Sequence, residues 1–89
     1  MGLFRRIFGR ESEDPAERAR DFMRSMERLL KEEGAKATML FMSTSEYEQL
    51  AEQYLPTHLV GVGGPLHNEY VAVLAKIKTA LDRELGLAR

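Results

Sequence analysis

The chain has 89 residues, no cysteine, 44% hydrophobic and 30% charged residues, and a formal net charge of −1. This is the size of one domain with a modest core, and the composition is that of a globular chain, not a disordered one. It excludes disulfides, a thiolate nucleophile and a sulfur-ligated metal, and no apolar run approaches the roughly 20 residues of a membrane-spanning helix.

Residues 1–10 form a basic amphipathic arm. Placed on a helix, Leu3, Phe4, Ile7 and Phe8 share an arc of roughly 140°, with Arg5 and Arg6 outside it. An apolar face flanked by arginines suits a segment that lies on an anionic membrane or docks on a partner. Leu3, Phe4, Ile7 and Phe8 are expected to insert, and Arg5, Arg6 and Arg10 to meet acidic groups. Two other readings stay open: the arm packs on the protein's own core or dimer seam, or it is a tail without fixed structure. Arginines break the apolar run, so the segment lacks the continuous core of a secretory signal. Arg6 stands where a myristoylation motif wants Ser or Thr. Interfacial burial of four large apolar side chains gives about 4–8 kcal/mol, and each arginine adds about 1 kcal/mol at an anionic surface. Ordering the segment costs about 1–2 kcal/mol per residue. Gain and cost nearly cancel, so one arm alone binds weakly and two arms on a dimer bind usefully through avidity.

Residues 11–14 make a polar hinge, and 15–89 a compact domain. Asp14-Pro15 opens a helix, with Asp as N-cap and Pro at the first helical position. Ala19, Phe22, Met23, Met26, Leu29 and Leu30 repeat at three and four residues, and Gly34 closes the helix at 33. Arg20, Arg24 and Arg28 form a basic row, but Glu17, Asp21, Glu27 and Glu32 interleave with it, which predicts a salt-bridged, solvated face.

The opening Met1-Gly2-Leu3-Phe4 and Ser12-Glu13-Asp14-Pro15, followed by a Met-rich helix, resembles the start of the bacterial membrane-stress coat proteins of the phage-shock type. The likeness is confined to the beginning of the chain and uses common residue types. It serves as an analogy for the arm and not as a family assignment, because those proteins continue as one long coiled coil.

Residues 37–42, Ala-Thr-Met-Leu-Phe-Met, are a short apolar run behind a capped helix and read as a strand covered on both faces. Ser45 with Glu48 makes a capping box, so a second helix starts at about 46, with Tyr47, Leu50, Ala51 and Tyr54 on its apolar side and Pro56 ending it. Residues 58–62 read as a second strand, broken by Gly63-Gly64-Pro65. A third helix over about 66–85 turns Tyr70, Val73, Leu74, Ile77, Leu81 and Leu85 inward.

The predicted fold class is therefore α/β, a small αβαβα domain with two short parallel strands joined by a right-handed crossover. Two parallel strands do not make a stable sheet alone, so a homodimer is expected to complete a four-stranded sheet. The alternative is a monomer with helices packed around a minimal sheet. In either case the C-terminal ends of the strands would carry Ser43, Thr44 and Ser45 on one loop and Gly61, Gly63, Gly64 and His67 on another. Two helix N-termini on one edge favour an anion such as a phosphate. Against that, the third glycine of a dinucleotide fingerprint is replaced by Leu66, no Gly-Lys-Ser/Thr exists, and Glu46 and Glu48 crowd one helix start. The plainer reading is a helix cap and a tight turn.

His58 and His67 are two ligands where a metal needs three or four, so no metal or cofactor is expected. No nucleophile pairs with a plausible base, so no enzyme is expected. Basic character is confined to the arm: residues 11–34 hold eight acids against five bases, and residues 35–64 three acids against Lys36. That argues against a nucleic-acid partner. The leading expectation is a cytoplasmic, non-enzymatic module, peripheral to the inner face of the membrane, that oligomerises and docks on a membrane surface or protein partner through its arm. The alternative is a small anion or nucleotide sensor using the two loops.

Overall fold

The computed structural model describes residues 14–86. The arm residues Leu3, Phe4, Arg5, Arg6, Ile7, Phe8 and Arg10, and the hinge up to residue 13, lie outside the described residues. Helix α1 runs Pro15–Glu33, α2 Ala35–Met42, α3 Ser45–Tyr54, α4 Thr57–Val60 and α5 His67–Glu84. No strand occurs among the described residues. The α/β class, the parallel crossover and the sheet completed by a dimer are thereby overturned: the first expected strand, 37–42, is helical, and the second, 58–62, is helix to Val60 and then turn.

α1 starts and stops where its cap residues dictate. The Asp14 carboxylate accepts from the Ala16 amide at 3.0 Å, and Pro15 occupies the first turn. Gly34 closes it at φ +94°, its N–H donating to the Leu30 carbonyl at 3.0 Å. Ala19, Phe22, Met23, Met26 and Leu29 are buried along one stripe.

Residues 37–42 fold as α2 because their local chemistry is helical. Ala, Met and Leu are strong helix formers, and the segment contains no Val or Ile. Its one β-branched residue, Thr38, is buried and turns its hydroxyl back to donate to the Gly34 carbonyl at 2.8 Å. The first-turn amides of α2 get their cap from far along the chain: the Glu84 carboxylate accepts from Ala35 N at 2.5 Å and Lys36 N at 3.1 Å. Gly34 thus ends one helix and begins the next.

The cap of α3 sits one residue earlier than expected. Thr44, not Ser45, accepts from the Tyr47 amide at 3.1 Å, and its hydroxyl donates to the Phe41 carbonyl at 2.6 Å. Residues 58–62 are not a strand either. Pro56 sets an extended N-cap, its carbonyl accepts from Leu59 N at 2.9 Å and Val60 N at 3.1 Å, and the chain makes the single turn of α4. In α5, Val73 and Ile77 are buried and Tyr70, Leu74 and Leu81 half-buried, but Leu85 is exposed, contrary to expectation.

Helices α1 and α5 run parallel in a fixed register. Arg20 Nε meets Glu69 Oε1 at 3.3 Å, Lys76 Nζ meets Glu27 Oε2 at 2.7 Å, and Glu84 caps Ala35, three links each 49 positions apart in sequence. The step from 20 to 27 and from 69 to 76 is a heptad, which keeps one seam of each helix facing the other. α2 lies against both, and α3 against α1 and α2. Phe22 anchors the core, stacked on Tyr47 and Tyr54 with centroids 6.0 and 5.8 Å away, while Phe41 meets Tyr47 edge-on at 5.5 Å.

Candidate functional site

The two loops expected to share a sheet edge are separate pieces of local structure. Ser43 and Thr44 join α2 to α3, and their hydroxyls donate to the Leu40 and Phe41 carbonyls. Ser45 opens α3 and is exposed. The glycine loop joins α4 to α5 and folds onto itself. Gly61 N donates to Thr57 O at 2.7 Å, Gly64 N to Gly61 O at 2.9 Å, Leu66 N to Leu59 O at 2.8 Å and His67 N to Gly64 O at 3.2 Å. Those four amides point into the loop and not at a ligand. His67 Nδ1 lies 2.9 Å from the Val60 carbonyl and ties the start of α5 to α4.

Close packing explains the glycines. A Cβ on Gly64 would lie 2.4 Å from the Leu59 carbonyl oxygen, and one on Gly61 would lie 2.7 Å from the Thr57 carbonyl oxygen. Gly63 has φ +88° with open space beyond it. Between them Val62 stands 93% exposed.

The register of α1 and α5 places this loop. Arg20 beside Glu69 and Glu27 beside Lys76 run the two helices in the same direction, so α1 and α5 start at the same end, and the glycine loop leads directly into α5. The chain therefore enters the body from the arm at the same end that carries the glycine loop. From Gln53 to Asn68 no Asp, Glu, Lys or Arg occurs, in a chain that is 30% charged, although the start of α1 brings Asp14 and Glu17 to the same end. Within that stretch Thr57, His58, Val62, Gly63 and Pro65 are exposed. Of the acids at this end, Asp14 caps α1 and Glu69 pairs with Arg20, while Glu17 lies exposed in the first turn of α1. One turn into α1, Arg18 lays its guanidinium over the Tyr54 ring at 5.9 Å. The charge-free stretch was the signal in the sequence that would have marked this end.

Elsewhere the chemistry is structural. Burial pushes the Tyr47 phenol well above its ordinary range, reinforced by the neighbouring, hydrogen-bonded Tyr70 phenol. Arg24 pairs with Asp21, and Lys78 with Asp82, along exposed faces. Among the described residues no group of three His, Asp or Glu side chains is placed to hold a metal ion, and no helix is long and apolar enough to cross a membrane. No family model, no curated protein and no solved structure matches the chain.

Proposed function

We propose that the protein is a peripheral module that docks on an anionic membrane surface through its N-terminal arm. In this reading Leu3, Phe4, Ile7 and Phe8 enter the headgroup region, and Arg5, Arg6 and Arg10 meet lipid phosphates. The observation that carries it is the pattern of the arm itself: four large apolar side chains share one face, and residues 1–10 hold three arginines and no acid. The body joins this arm at the start of α1, the end at which α5 and the charge-free stretch before it also begin. The body acts as a rigid, non-enzymatic carrier that sets where the arm attaches.

The test is co-sedimentation with vesicles of phosphatidylglycerol and phosphatidylcholine, comparing the full chain with residues 11–89. The full chain is expected to pellet, and less so as salt rises. The shortened chain is expected to stay in the supernatant with the same helical circular dichroism. Equal partitioning of the two would sink the membrane reading and turn the search to a protein partner.

A further inference from the structure

We infer that the Gly61–Gly64 loop is a second membrane contact, with Val62 entering the bilayer interface. The inference rests on the membrane reading above and adds the part of the body that faces the lipid.

Three observations converge on this loop. Val62 is 93% exposed, the most exposed large apolar side chain among the described residues. Its presentation is built in. Gly61 and Gly64 press against the Thr57 and Leu59 carbonyls, where any side chain would clash, and this holds the loop closed with Val62 at its tip. Lastly, α1 and α5 run in the same direction, so the loop that leads into α5 lies at the end where α1 starts.

The contact also answers a weakness of the arm. The arm's binding gain nearly cancels the entropy of ordering it. A loop already fixed by its own hydrogen bonds adds apolar contact with little further ordering cost. Because loop and arm belong to one body, engagement of one raises the local concentration of the other at the surface. The exposed neighbours Thr57, Gly63 and Pro65 carry no charge that would resist entry into the interface.

The chain has no tryptophan, so Val62→Trp in the full chain installs a single reporter at the loop tip. With phosphatidylglycerol vesicles, its emission is expected to move to shorter wavelength and to be quenched by lipids brominated on their acyl chains. Val62→Asp is expected to weaken vesicle binding roughly three- to tenfold, with an unchanged melting temperature because the side chain packs on almost nothing. Vesicle binding with water-like, unquenched emission would overturn the loop contact and leave the arm reading standing, as would full affinity in Val62→Asp. Failure of the unmodified chain to bind would overturn the arm reading and the loop contact with it.

Discussion

At the scale of single residues, backbone crowding and buried phenols set the sharpest expectations. Gly64→Ala places a methyl 2.4 Å from the Leu59 carbonyl oxygen, a backbone atom fixed by its bond from Leu66 N. Either the loop opens or α4 shifts, and a loss of about 2–4 kcal/mol is expected in chemical denaturation. Gly63→Ala meets open space and bears only the strain of a positive φ, about 1 kcal/mol. A reversed order of the two would mean that the loop is not closed as described. Tyr47 carries a pH dependence. Its phenol titrates higher in the folded chain than in the unfolded one, because burial and Tyr70 disfavour the phenolate. Below the ordinary tyrosine pKa of about 10 both states hold the proton and stability is unaffected. Above it the unfolded chain releases the proton first, so stability falls as pH rises. Tyr47→Phe is expected to lower stability at neutral pH through the lost pairing with Tyr70, and to flatten the alkaline limb of the stability curve. An alkaline limb as steep as that of the parent chain would show that Tyr47 is not the titrating group.

At the scale of elements, what was legible in the sequence follows from where each helix gets its cap. α1 carries its own signals, Asp14-Pro15 before it and Gly34 after it, and its buried stripe repeats over about three turns, so its bounds can be read locally. α2 spans only eight residues, and its cap is Glu84, at the far end of the chain. Nothing within the segment announces a helix start, and a short apolar run does not separate strand from helix by period. α4 is shorter still, one turn that Pro56 begins and Gly61 ends. The glycine loop was recognisable as a turn, but its position at the end where α1 starts was not, because that depends on the register between two helices far apart in sequence. The role given to Glu84 predicts that Glu84→Ala costs about 1–2 kcal/mol. It should also speed hydrogen exchange at the Ala35 and Lys36 amides while leaving the amides of α1 protected. Uniform acceleration throughout the chain would mean that Glu84 supports the whole fold and not one helix start.

At the scale of the whole molecule, the register of α1 on α5 is marked by charges but held by apolar packing. Arg20–Glu69 and Lys76–Glu27 are exposed pairs, each contributing about 0–1 kcal/mol. Phe22, Met26 and Ile77 lie fully buried in the same core. The register brings the start of α1 and the loop that carries Val62 to one end of the body. On the proposed membrane reading, the arm contributes two separable forces. Phe4→Glu with Phe8→Glu removes the apolar force and sets acids against anionic lipid, so vesicle binding should be lost at every salt concentration. Replacing Arg5, Arg6 and Arg10 by Gln leaves the apolar face intact, so weaker binding should persist, now insensitive to salt. Charge attraction fades as the screening length drops from about 10 Å at 0.1 M to about 3 Å at 1 M, whereas apolar insertion does not. Salt series on the two variants and the parent therefore separate the forces. In all three the body should melt at the same temperature, because none of the substituted positions lies in α1–α5. If the arm instead packed on this chain's own core, the phenylalanine variant would lose stability along with binding, and its melting curve would report that before any vesicle was added.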